Sequence, residues 1–230
     1  MSLLGQPDHE LLMLGIFVEI YRIGNIVKKV YRKYPNDDGS TEESIKATHN
    51  EASIYRLLGS HPGIAECLYI DPAMTYVELK FYPDENLKRF SEAYSTHIED
   101  SHRKRWARQM IEGVEYIHTM GVKHSDLRLE QWLLDDRLDA RLSDFNASGY
   151  DSNVNLGLKG SEAMGAKDAS HFLPRDVALD NTIESDLFAL GSTLFELMTG
   201  KAPYDHLPRE SIEDFFKEGV FPYVDGLFLS

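Results

Sequence analysis

The sequence predicts an α+β fold in two unequal parts, a strand-rich part over residues 1–82 and a larger helical part over 83–230. Three observations carry this. Residues 11–31 hold short β-rich runs separated by glycines (11–15, 19–24 and 25–31), the pattern of three antiparallel strands. Residues 100–120 place Trp106, Met110, Ile111, Val114 and Ile117 at helical spacing. Residues 185–199 are largely apolar around the circumference, as in a buried helix. Strands come first and helices after, the order of an α+β domain.

The bulk numbers fit one good-sized core or two small lobes sharing an interface: 230 residues and 26.2 kDa, 42% hydrophobic and 27% charged. A net charge of −14 opposes binding to nucleic acid or to an anionic membrane surface, both of which select basic patches. The single cysteine, Cys67, forms no internal disulfide, which suits a reducing compartment. No apolar run reaches the ~18 residues of a membrane span, and the N-terminus lacks the pattern of a secretory signal. A soluble intracellular protein, cytoplasmic or nuclear, is expected.

In chain order, the three strands are followed by turn chemistry at Pro35-Asn36-Asp37-Asp38-Gly39. Ser40 and Glu43 have the spacing of a capping box, opening a helix that runs to about Leu58, before Gly59 and Pro62. Strands at 65–70 and 75–81 complete a five-stranded sheet. A composition shift at Pro83-Asp84-Glu85-Asn86 marks the boundary between the parts. The 100–120 helix ends at Gly121, and its Arg103-Lys104-Arg105 run reads as a solvated face. A short β-rich pair, 132–134 and 140–143, is joined by the turn Asp135-Asp136-Arg137 and ends in Asp144-Phe145-Asn146. Two acidic residues, Asp126 and Asp144, are thereby delivered to one place. Residues 147–173 then run long with little periodicity, which is unusual in a compact domain unless the segment is functional. The 185–199 helix stops at Gly200, and a short helix follows over about 209–218.

The stretch His124-Ser125-Asp126-Leu127 with Gln131 five positions after Asp126, followed by Asp144-Phe145-Asn146, resembles the protein-kinase pair H-R-D-L-x-x-x-N and D-F-G. Ser125, Gln131 and Asn146 replace the Arg, Asn and Gly of that pattern. The segment from Asp186 to Gly191 resembles the start of the central helix of the kinase C-lobe, whose aspartate anchors the catalytic-loop backbone. The wording of 126–135, 142–149 and 170–176 is similar to a group of fungal kinase-like proteins.

The resemblance implies a bilobal protein-kinase-like fold: a five-stranded antiparallel N-lobe with one helix, and a mostly helical C-lobe, truncated because the family's last helices are not in the sequence. It implies ATP and Mg²⁺ as cofactors, and a protein substrate or binding partner. Asp126 would orient the attacking hydroxyl and accept its proton, Arg128 would meet the γ-phosphate, and Asp144 with Gln131 would hold the metal. Lys29 would reach the α- and β-phosphates, steadied by Glu51. Gly15 is what remains of the glycine-rich turn over the phosphates, and backbone groups near Lys80 and Tyr82 would meet the adenine. Arg175 stands in the place of the glutamate of A-P-E. Ser125 carries no charge, so phosphorylation of the long segment, at Ser161 for instance, is expected to leave activity unchanged. Without the last helices, apolar residues such as Leu187, Phe188, Phe215, Phe216, Leu227 and Phe228 would face water and favour self-association.

Three readings stay open at this stage: an active serine/threonine protein kinase, a pseudokinase acting as a binding or scaffolding module, and a small-molecule phosphotransferase with an H-x-D-x-x-x-x-N loop. Lys29, Glu51, Asp126 and Asp144 favour the first. Gln131, Asn146 and the reduced glycine turn favour the second. Asp186 and the long segment argue against the third.

Overall fold

The computed structural model describes residues 9–84, 86–95, 97–163, 165, 167–176 and 178–224. Its first part is a five-stranded antiparallel sheet in the order β1-β2-β3-β5-β4, built from β1 (Glu10–Leu14), β2 (Val18–Ile23), β3 (Ile26–Tyr31), β4 (Cys67–Ile70) and β5 (Tyr76–Lys80). Pairing of Ile23 with Ile26 leaves a two-residue turn, and Gly24 supplies the left-handed φ of +61° that it requires. Side chains alternate across β3. Lys28 faces Glu78 across the sheet surface at 3.3 Å, while Lys29 points inward and is only 4% exposed.

Helix α1 (Asp38–Leu58) crosses that inner face. The expected Ser40–Glu43 capping box is not what starts it. Asp37 is the cap, accepting from Ser40 N at 3.0 Å, and this draws the first turn back by two residues. Gly59, at φ +61°, stops it.

The second part opens with a helix that the sequence did not announce, α2 (Leu87–Ala93), capped by the Asn86 side chain. Then come α3 (Asp100–Thr119), β6 (Val122–Lys123), β7 (Trp132–Leu134), β8 (Ala140–Leu142), β9 (Gly149–Tyr150), α4 (Ile183–Thr199) and α5 (Arg209–Lys217). β6 pairs with β9 and β7 with β8. α4 begins before Ser185 because Thr182 and Ser185 cap one another reciprocally. The long segment folds on itself through bridges between Tyr150 and Ser161 and between Asn153 and Leu158.

One core runs through both parts. It joins Ala52, Ile54 and Tyr55 of α1 and Val77 and Leu79 of β5 to Trp106, Met110, Trp132, Leu142, Ala189 and Leu197. Three expectations change here. Ile111 lies outside the buried stripe of α3, at 48% exposure. The Arg103–Arg105 run is not a free face: Arg103 bonds the Ile98 carbonyl and Arg105 those of Arg137 and Leu138. Phe216 is buried rather than exposed, because α5 folds back and sets it edge-on to Phe188, beside Ala169 and Ile212. Leu187 remains half exposed. Leu227 and Phe228 lie outside the described residues.

Candidate active site

The site is assembled from four separated pieces of chain. β3 presents Lys29 to α1, where its Nζ lies 2.6 Å from Glu51 Oε1, and to the end of β8, where it lies 2.7 Å from Asp144 Oδ1. Burial pulls the Lys29 ammonium down, but the carboxylates of Asp144 and Glu51 outweigh it and hold the ammonium well above its usual range. Asp144 responds in the opposite sense. Burial would raise its carboxyl, yet the Lys29 charge and hydrogen bond bring it below the ordinary value.

Asp144 takes a left-handed φ of +68°, which turns the chain sharply after β8. The turn buries Phe145 edge-on against Tyr55 (5.4 Å between centroids, 87°) and tilted against His124 (5.2 Å, 59°). Phe145 N donates to Glu51 Oε1 at 3.3 Å. The acid at the head of this turn, the aromatic after it and the helix α1 are therefore tied together by direct contacts.

His124 is buried with both ring nitrogens engaged: Nε2 lies 2.9 Å from the Ser143 carbonyl and Nδ1 accepts from Asp126 N at 3.3 Å. That pattern is a neutral ring protonated at Nε2, and burial pushes its pKa down accordingly. Beneath it lies the Asp186 carboxylate of α4, fully buried. It accepts His124 N at 2.6 Å and Ser125 N at 2.9 Å, so two consecutive backbone amides of the loop are pinned just before Asp126.

Asp126 is thereby held toward the site. Its Oδ2 accepts Gln131 Nε2 at 2.7 Å and lies 3.2 Å from Arg128 Nη2. Burial raises the Asp126 carboxyl more than Arg128 and His124 lower it, and Asp144 adds to the rise. A carboxylate shifted in this direction is a better proton acceptor. Asn146 donates to Asp144 Oδ1 at 2.9 Å. Lys29, Glu51 and Asp144 thus form one cluster, and Asp126, Arg128 and Gln131 a second, close enough for the two aspartates to feel each other.

The remaining predicted positions lie at the sheet. Lys80 N is bonded to the Glu66 carbonyl at 2.9 Å and Phe81 N to that of Asn25 at 3.0 Å, whereas Tyr82 N takes no partner among the described residues. The Tyr82 side chain is buried, its hydroxyl accepting Glu66 N at 2.9 Å. Gly15 differs from expectation. The β1–β2 turn spans only residues 15–17, Gly15 N is committed to the Val18 carbonyl at 2.8 Å, and Arg32 binds the Gly15 carbonyl at 2.8 Å. Its N–H is not free for a phosphate.

Two residues escaped the sequence reading. Tyr55 lies one helical turn after Glu51, a spacing that places it on the same face of α1 and was the unread signal for its contact with Phe145. Asn50 carries no such signal. Its amide nitrogen spans the carbonyls of Phe145, Asn146 and Ser148, a contact made only in three dimensions. A cavity of about 760 Å³ lined by Tyr55, His61, Cys67, Tyr69 and Arg141 includes no member of either charged cluster, so volume alone does not locate this site.

Comparison with known proteins gives the family to which this arrangement belongs. The family described as protein kinase domain matches residues 18–221, and the chain belongs to it. Among curated relatives it is 29% identical over 177 residues to the serine/threonine-protein kinase PKH3 of Eremothecium gossypii, covering 71% of this chain and 23% of that protein. It is 28% identical over 160 residues to the serine/threonine-protein kinase PLK4 of Nematostella vectensis, covering 68% and 16%. With the human phosphorylase b kinase gamma catalytic chain, liver/testis isoform, identity is 27% over 194 residues, covering 79% and 46%. The matched region therefore spans less than half the length of each of these three relatives. No helix among the described residues is long and apolar enough to cross a membrane.

Proposed function

We propose that this domain binds ATP and transfers its γ-phosphate to a serine or threonine hydroxyl of a protein. The observation that carries the reading is the buried Lys29 held between Glu51 and Asp144. A buried ammonium flanked by two carboxylates is costly to maintain, and binding the phosphates of a nucleotide is a role that would account for it. Lys29 would grip the α- and β-phosphates while Glu51 keeps it extended. Arg128 would meet the γ-phosphate; its Nε is buried without a partner among the described residues, a donor still to be satisfied. Asp126 would orient the attacking hydroxyl and take its proton. The Tyr82 N–H, without a partner among the described residues, and the backbone beside Lys80 would receive the base. The protein hydroxyl places this reading in the class of the serine/threonine-protein kinases to which the chain is similar.

The residues present fit a Mg²⁺ ion of the kind that travels with a nucleotide. Asp144 Oδ1 is taken by Lys29 and Asn146, but Oδ2 is not, and Gln131 brings an amide oxygen, so the protein offers hard oxygen ligands in small number. No group of three His, Cys, Asp or Glu residues able to hold a metal occurs among the described residues, so the remaining ligands would be phosphate and water. When bound, the ion would neutralise charge on the transferring phosphates.

A second reading, a binding module of low turnover, is favoured by one observation. Gln131 and Asn146, which depart from the family pattern, spend their amide donors on the two aspartates themselves. ATP affinity and γ-phosphate transfer measured on two variants separate the readings. Asp144→Asn should weaken Mg²⁺-dependent ATP binding. Asp126→Asn should leave binding intact and lower transfer by roughly 10²–10⁴-fold. Equal effects of both variants on binding refute the role assignment. Tight binding without transfer by the unaltered protein leaves the binding module.

A further inference from the structure

We infer that Lys167 is a positioning residue, whose ammonium clamps the long segment after Asn146 onto the base of the loop that carries Asp126. Lys167 plays no part in the chemistry above, yet its side chain is 1% exposed. Its Nζ donates to the Ser185 carbonyl at 2.9 Å and lies 3.3 Å from Asp186 Oδ1. The same Asp186 oxygen accepts Ser125 N, and the other accepts His124 N and lies 3.2 Å from His118 Nε2. One buried carboxylate thus joins the catalytic loop, α3 and the long segment.

Neighbouring contacts bring Lys167 to that place. Gly165 N donates to Ser125 Oγ at 3.2 Å, and Ser125 Oγ donates onward to the Ala147 carbonyl at 2.7 Å. A Cβ at Gly165 would stand 2.6 Å from Ser125 O, so only glycine allows this approach. From the other side, Asn181 Nδ2 holds the Ala163 and Gly165 carbonyls at 2.8 and 3.0 Å, and Arg175 Nη2 steadies the Asn181 oxygen at 2.7 Å. The segment around residue 165 is therefore bracketed between the loop at 124–126 and the start of α4. An uncompensated lysine is not retained in such a place; burial pulls this ammonium below its usual range, and Asp186 and the more distant Asp126 offset that only in part.

The physical consequence concerns how the segment is ordered. Where the resemblance leads one to expect an arginine before the catalytic aspartate, reading a phosphate added to the segment, this chain has Ser125. The cation is instead carried by the segment and the anion by α4, so the charge pair needs no added phosphate. The inference deepens the proposed function and rests on it only where turnover is measured.

Amide exchange read by mass spectrometry, together with steady-state transfer kinetics, tests it on Lys167→Met, which keeps the length of the side chain and removes the charge. Exchange over residues 122–128 and 160–170 should accelerate about tenfold or more, while 26–31 and 48–58 hold their protection. In the kinetics, kcat should fall about tenfold with ATP affinity unchanged within about twofold, as for a displaced catalytic group. Should Lys167→Met fail to fold, Lys167→Gln keeps a donor for the Ser185 carbonyl and gives the same readouts. Unchanged exchange at 122–128 overturns the inference, and so does a loss of kcat matched by an equal loss of ATP affinity. If the unaltered protein transfers no phosphate, the proposed function fails and the exchange measurement alone decides the clamp.

Discussion

Replacing Lys29 by methionine should expose how much of the site's electrostatics the fold depends on. The variant keeps the length of the chain and removes the charge that lies 2.6 Å from Glu51 and 2.7 Å from Asp144. Glu51 is fully buried, its second oxygen has no hydrogen-bond partner among the described residues, and beside Lys29 only the Phe145 N–H, 3.3 Å from Oε1, offsets its charge. Breaking a buried pair by removing one partner costs about 3–5 kcal/mol. The orphaned carboxylate can escape by taking up a proton, which for an ordinary glutamate value of ~4.3 costs about 3.7 kcal/mol at pH 7 and about 1.4 kcal/mol less per unit of pH below that. Protonation therefore sets a ceiling: a deficit of about 3–4 kcal/mol at pH 7 should shrink to under about 2 kcal/mol at pH 5.5. Urea unfolding of the two proteins at both pH values measures it. Glu51→Gln is the control; it leaves the Lys29–Asp144 pair intact and should cost about half as much as Lys29→Met at pH 7. A Lys29→Met deficit below about 1 kcal/mol, or one indifferent to pH, refutes the reasoning, because either result means that Glu51 is not ionised against Lys29.

Other outcomes follow from the same geometry. His124 has a folded pKa lowered by burial, so the unfolded chain binds a proton that the folded chain refuses; stability should fall as pH drops through ~6.5 and level off below the folded value. His61 is shifted the same way, so His124→Phe should flatten that slope in part and not wholly; no change in slope contradicts the assignment. At Gly149 a Cβ would meet the backbone nitrogen of Ala163 at 2.6 Å, so Gly149→Ala should cost about 1–3 kcal/mol and free the long segment to proteolysis; resistance equal to wild type counts against the packing. Ile111, Ile183 and Leu187 are each more than 40% exposed. Light scattering should detect association that grows with concentration and disappears in Leu187→Lys, and a monodisperse unaltered chain removes the expectation of self-association.

Much of the frame was legible because its signals are local. The strand alternation of β2 and β3, the helical spacing of Trp106, Met110, Val114 and Ile117, and the glycine stops at 59, 121 and 200 all act within a few residues of where they are read. What was misread depended on partners far along the chain. Ile111 fits the apolar spacing of α3 and still faces outward. Arg103 and Arg105 read as solvated until carbonyls from other segments come to meet them. α2 is seven residues long, with too few turns to show a period, and its cap lies in the polar stretch taken as a boundary. At the site, the acidic residues were visible from motif spacing. The amide donations from Gln131 and Asn146, the Asn50 clip and the Lys167 contact with Asp186 were not, since each is a side-chain orientation fixed by tertiary packing.

The contact between Lys29 and Asp144 spans 115 residues of sequence, and that between His124 and Asp186 spans 62. Closing such loops costs entropy that no local structure returns, and topologies dominated by distant contacts form late and slowly. The charged centre is therefore a property of the two parts together and of neither alone. A fragment holding the sheet and α1 carries Lys29 and Glu51 without the acid that completes them, and one holding the helices carries both aspartates without the cation. A ligand that needs all of these groups binds only the fully folded protein. Its full binding free energy then acts on the step that brings these groups together, so that occupancy reports whether the segments carrying residues 29–186 have assembled.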